Sequence, residues 1–215
     1  LLLSALAGGL ASSTATTLSF ARLVRSNPAL CTWLAGGSLI SSGLMALRVL
    51  VLAAAVNRPL AFALAWPMGA FALVLGAAGA LLMTRRPAGA GPQTITTLAN
   101  PLELGAALKF AALIALIMLL GKVLARAFGA IGVYGLAALS GVADVDALTL
   151  SVSELAGRDL VLAAAVLAVS LAVASNTLSK AAIAAIVGGR KHGLLMGGAS
   201  LAAVAAAALI LVLRF

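Results

Sequence analysis

Acidic residues are the scarcest feature of this 215-residue chain. Five Asp and Glu stand against 14 Lys and Arg, and charged residues of both signs make up only 9%. A water-soluble domain carries about 25% charged and about 45–50% apolar residues. Here 64% of the chain is apolar and the mean hydropathy is +1.22, which excludes an ordinary soluble fold. The net charge of +9 comes from few acids rather than many bases, and the bases are scattered, so nucleic acid is excluded as a partner. One cysteine, Cys31, rules out an internal disulfide framework and a thiolate zinc site. One histidine, His192, rules out a His-clustered metal or haem site, and both residues read as incidental. One Tyr and two Trp are too few for a stacking platform or an aromatic girdle. No Ser/His/Asp, Cys/His or metallohydrolase spacing is present, so an enzyme is not expected.

What the chain has in abundance is long apolar runs. A spanning helix needs about 20 mostly apolar residues. Seven segments qualify: Leu1 to Phe20, Ala29 to Val56, Leu60 to Met83, Leu104 to Leu124, Gly129 to Ser151, Leu160 to Val187 and Gly193 to Leu213. The expected fold is therefore all-α, a polytopic transmembrane bundle of about seven helices in the inner (plasma) membrane of a bacterium. The lipid bilayer is its first partner. Residues 84–101 hold Arg85, Arg86, Pro87, Pro92 and Pro101 and read as a polar linker between residues 1–83, with three helices, and residues 102–215, with four. The chain opens on Leu1 inside an apolar run, which reads as a fragment. Alternating crossings put Arg22 and Arg25 on one face and Arg190 and Lys191 on the other, a marginal orientation by the positive-inside rule.

An internal repeat sharpens the division. At an offset of 132, Gly9-Leu-Ala-Ser-Ser-Thr-Ala-Thr-Thr-Leu-Ser19 falls on Gly141-Val-Ala-Asp-Val-Asp-Ala-Leu-Thr-Leu-Ser151, with six of 11 positions identical. The same offset puts Arg48 on Lys180 and Arg58 on Arg190. Internal repeats are a recurring plan in secondary transporters, with the substrate site between the halves. Four crossings separate the mates, so the halves are expected to run parallel.

Asp144 and Asp146 lie inside an apolar segment, where a charge costs about 2.5–3.5 kcal/mol or more and calls for a partner, a cavity or water. Two residues apart, they fall about 200° apart on an ideal helix. The preceding Ser140-Gly141 favours a break, with an Asp capping a helix that restarts at Ala147. Non-helical backbone at membrane depth is tolerated where it lines a cavity or is buried in protein. Two readings are open. In one, Asp144 and Asp146, with Thr149, Ser151 and freed carbonyls, bind a hard cation such as Mg²⁺ or relay a proton. In the other, both acids are salt-bridged by the intramembrane bases Lys180 and Arg48. Asn176, Thr177 and Lys180 form a polar stripe on an otherwise apolar helix, either as a counter-ion set or as interhelical glue. Ser12, Ser13, Thr14, Thr16 and Thr17 form the hydroxyl counterpart of the Asp motif. They either line a path or back-bond to their own helix.

The elements Ala138-Leu-Ser-Gly-Val-Ala-Asp-Val-Asp-Ala-Leu-Thr-Leu-Ser151, Asn176-Thr-x-x-Lys180, Asn100-Pro-Leu-Glu-Leu104 and Gly9-Leu-Ala-Ser-Ser-Thr-Ala-Thr-Thr17 resemble the uncharacterised C-terminal membrane domain of MgtC/SapB-type bacterial proteins. The resemblance covers nearly the whole chain. It implies an upstream MgtC-like membrane domain in the same polypeptide and a link to magnesium homeostasis, without assigning ligands. The expected function is a cation transporter or channel-like protein with an Asp pair at mid-membrane, needing no cofactor beyond the Mg²⁺ or other cation it carries. A homo-oligomer fits the small-residue helix faces. The alternatives are a non-transporting interaction or regulatory module with structural charges, and an organic-solute or anion carrier using Lys180 and Arg48.

Overall fold

The computed structural model describes residues 2–84 and 104–214. All of the described elements are helical: α1 (Leu2–Ser26), a 3-10 turn (Pro28–Leu30), α2 (Cys31–Val56), α3 (Arg58–Met83), α4 (Leu104–Ala143), α5 (Val145–Leu155), α6 (Leu162–Gly188) and α7 (Arg190–Arg214). Among the described residues, five stretches are long and apolar enough to cross a membrane: Pro28–Val56, Arg58–Met83, Ala115–Val142, Leu162–Gly188 and Arg190–Arg214. The protein is a helical membrane protein. The linker expected at 84–101 lies outside the described residues except for Thr84.

Helix boundaries follow local chemistry. α1 runs past the expected end at Phe20 to Ser26, where Arg25 in the last turn complements the negative end of the helix dipole rather than stopping the helix. α3 starts at Arg58 with Pro59 in its first turn, where a missing N–H costs nothing. Asn57 caps it by accepting the Leu60 N–H at 3.0 Å. The fourth expected segment and the first part of the fifth are carried by one 40-residue helix, α4, which turns at Gly129 (φ 59°, ψ −143°), a backbone state that disfavours any side chain. α5 restarts at Val145, two residues before the expected Ala147.

The chain forms two compact units. Unit 1 contains Leu1–Arg48, Gly69–Thr97 and Thr177–Ile210; unit 2 contains Val49–Met68, Leu98–Asn176 and Leu211–Phe215.

In unit 1, Phe20 and Val24 of α1 pack with Leu30, Cys31 and Leu34, and Leu195 of α7 lies against this cluster. α2 meets α3 through a reciprocal glycine contact. A β-carbon at Gly36 would lie 2.7 Å from the Gly79 carbonyl oxygen, and one at Gly79 would lie 2.7 Å from the Gly36 carbonyl oxygen. Lipid tails are as apolar as the side chains, so helix association in a bilayer rests on such close backbone approach rather than on escape from water. Cys31, at the start of α2, has its Sγ 3.9 Å from Nδ1 of His192, just beyond the end of α6. Met45, further along α2, lies 3.2 Å from Lys180, further back in α6. The first half of α2 therefore runs antiparallel to the end of α6. This corrects the parallel sense expected from counting crossings, and with it the placing of Arg25 on the opposite face from Arg190 and Lys191, since all three line one cavity.

In unit 2, α4 folds back at Gly129 so that Gly121 faces Ser151 of α5 and Leu136 of its own second arm. A β-carbon at Gly141 would lie 2.8 Å from the Ala172 α-carbon of α6. Asn57 fastens the start of α3 to the end of α5, its Nδ2 donating to the carbonyls of Ser153 (3.2 Å) and Ala156 (2.9 Å).

Gly79→Ala is expected to lower the thermal midpoint of the detergent-solubilised protein by an overpacking penalty of about 1–3 kcal/mol. Gly76→Ala, on the same helix with nothing within 4 Å of an added β-carbon, is expected to be neutral or stabilising through helix propensity. Equal midpoints for the two variants would contradict the glycine crossing.

Candidate functional site: two interrupted helices

Among the described residues, two helices are interrupted by a single extended residue. In unit 1 the break in α1 is at Ser12 (φ −162°, ψ 104°). Its Oγ accepts the Ala15 N–H at 3.3 Å, as a cap for the resumed helix. Thr16 Oγ1 donates to the Ser12 carbonyl and Thr17 Oγ1 to the Ser13 carbonyl, both at 2.9 Å, so part of the hydroxyl cluster is spent on its own backbone. Thr14 is half-buried. Lys180, wholly buried, donates from Nζ to Ser13 Oγ at 2.7 Å and lies 3.2 Å from Met45 Sδ. Ser38, Ser41, Ser42 and Met45 recur on α2 at i, i+3, i+4 and i+7, one helical face. The hydroxyls of those three serines are buried with no hydrogen-bond partner among the described residues. Gly9 lets Ser41 approach, with its notional β-carbon 2.8 Å from Ser41 Oγ. The unit thus holds a buried ammonium amid hydroxyls, an arrangement that can hold a counter-charge or accept an anionic group.

In unit 2 the break is at Asp144 (φ −154°, ψ 131°), between α4 and α5. Asp144 Oδ1 accepts the Asp146 N–H at 2.8 Å and so caps α5. Thr149 Oγ1 donates to the Val145 carbonyl at 2.8 Å, which leaves its lone pairs as acceptors. Asp144 and Asp146 are half-buried; Thr149 and Ser151 are buried. The last carbonyls of α4 are met from α6: Asn176 Nδ2 donates to Gly141 at 2.8 Å and Ser175 Oγ to Ala138 at 2.6 Å. Of the α6 stripe, Asn176 acts in unit 2, whereas Thr177 and Lys180 belong to unit 1, both wholly buried. Arg48 sits half-buried on α2.

Among the described residues, no three of His, Cys, Asp and Glu gather as a metal-binding group. A cation held at Asp144 and Asp146 would need hydroxyl, carbonyl or water oxygens to complete its shell, a set that suits Mg²⁺, which keeps several waters. Two features escaped the sequence reading. Asn57, between two apolar segments, is a two-way clamp. Cys31 and His192, read as incidental, are both buried and adjacent. Each needs knowledge of which helix ends meet, and no local pattern carries that.

Residues 1–188, which include both breaks, match the model of a domain of unknown function, DUF4010. The chain belongs to the DUF4010 family. This DUF4010 chain is also similar to an uncharacterised protein of Aquifex aeolicus (strain VF5), 31% identical over 195 residues, which cover 89% of this chain and 84% of that protein. No solved structure matches it.

Asp144→Ala removes the α5 cap and is expected to cost about 1 kcal/mol of stability, whereas Asp144→Asn, an equally good cap, is expected to leave the thermal midpoint in place. If Asn lowers the midpoint as much as Ala, the carboxylate charge and not the cap supports the fold.

Proposed function

We propose that this DUF4010 protein is a multi-pass transporter of the bacterial inner membrane that carries a cation, with Mg²⁺ the first to test. One observation carries the reading: the two interruptions, Ser12 and Asp144, stand 132 residues apart, the offset of the sequence repeat. The local chemistry repeats with them. Thr17 and Thr149, also 132 apart, each donate to the carbonyl four residues back. Shifted by 132, α2 would span 163–188 and α3 190–215, against 162–188 for α6 and 190–214 for α7. With the start of α2 antiparallel to the end of α6, mates in such a repeat are inverted. Inverted repeats with interrupted helices are how many secondary transporters build a substrate site near mid-membrane.

The acids supply the sign of the cargo. Asp144 and Asp146 stand at one break, and intramembrane acids mark ion pathways or proton relays. Magnesium enters through the resemblance to MgtC/SapB-type proteins. The test is Mg²⁺ flux into proteoliposomes loaded with a fluorescent indicator. Asp144→Asn, which keeps the cap, and Asp146→Asn are each expected to reduce flux at least tenfold while the thermal midpoint stays in place. Wild-type flux in both would sink the cation reading.

A second reading draws on Lys180, wholly buried beside Ser13 and the α2 hydroxyls. A cationic site amid hydroxyl donors fits an anion or organic-acid carrier. That reading expects anion flux abolished by Lys180→Met and indifferent to Asp146→Asn; the reverse dependence refutes it.

A further inference from the structure

A cavity of about 500 Å³ opens in unit 1 where α1 and α6 end and α2 and α7 begin. Its wall carries Arg25, Arg190 and Lys191 together with the apolar side chains of Val24, Cys31 and Ile186. All three bases are exposed, and among the described residues none is paired with a carboxylate. The start of a 25-residue helix, α7, adds unsatisfied backbone N–H groups and the positive end of its dipole. Gly189, at φ +89°, makes the tight reversal that brings the end of α6 beside that start.

Three membrane-spanning stretches begin or end at this cavity, at Pro28, Gly188 and Arg190, so it belongs to the membrane–water boundary. Ile186 is 79% exposed, and Leu194, one turn along α7 from Arg190, is 74% exposed; an acyl chain can cover both beside the bases. The cavity is also roomier than a bare phosphate requires, and part of its wall is apolar. We propose that it binds the phosphate headgroup of an anionic phospholipid through Arg25, Arg190, Lys191 and the first amides of α7. With Arg22 also near this end of α1, the positive-inside rule makes this the cytoplasmic end, whose leaflet carries anionic lipid. The site shares no residue with either helix break, and its test reads no flux.

The full chain in neutral detergent is titrated with dioleoylphosphatidylglycerol, dioleoylphosphatidylcholine or inorganic phosphate while its thermal midpoint is followed. The glycerol lipid is expected to raise the midpoint saturably and the choline lipid to leave it unchanged. Arg190→Gln or Lys191→Gln is expected to raise the half-saturating lipid concentration about fivefold, and Arg25→Gln/Arg190→Gln/Lys191→Gln to abolish saturation. Arg58→Gln, in unit 2, is expected to behave as wild type. Equal responses to the two lipids, or a triple variant that still saturates, would overturn the proposal. A midpoint rise with inorganic phosphate alone would replace the lipid with a free anion. Should the triple variant fail to fold, the wild-type shift still decides: it must shrink in high salt, and a salt-insensitive shift refutes the headgroup contact.

Discussion

Inside a bilayer every backbone N–H and C=O must find a partner within the protein, and most of this structure answers to that demand. Uninterrupted helices meet it by themselves. An interruption leaves several groups open at once, and the two here are closed with side chains placed for the purpose. At Asp144 the carboxylate takes an amide of α5, while Asn176 and Ser175 reach from α6 to the carbonyls at the end of α4. At Ser12 the hydroxyl takes the amide and two threonines return to the carbonyls. Polar residues of a mostly apolar chain thus stand where the backbone is open.

Close helix contact supplies the second constraint. Gly36 against Gly79, Gly9 against Ser41 and Gly141 against Ala172 each bring backbone to within side-chain distance of a neighbour. In lipid, where apolar burial discriminates little, these fits hold the helices together and set their register. They also hold Lys180 at Ser13: an ammonium with no exposed surface persists only if its oxygen and sulfur neighbours are fixed in place.

How much of this the sequence carries depends on whether the determinant is local. The membrane class, the helix spans and the break near Asp144 are local, since a paired acid after Ser140-Gly141 in an apolar run has few other solutions. Ser12 is half-legible, because a Ser/Thr cluster serves a continuous helix and a broken one equally well. Gly129 begins an expected segment, and the structure turns at that residue. The sense of α2 against α6 is tertiary, and so is the meeting of Arg25 with Arg190 and Lys191 at one cavity. The role of Asn57 is tertiary for the same reason, since its two acceptors lie about a hundred residues away.

Those two acceptors give α5 a particular mechanical character. The helix has 11 residues and a length of about 16 Å. One end is fastened by Asp144 to its own first turn, and the other by Asn57 to the start of α3. One side chain, Asn57, thus fixes the foot of α5 and the root of α3 together, so neither end can fray without opening the other.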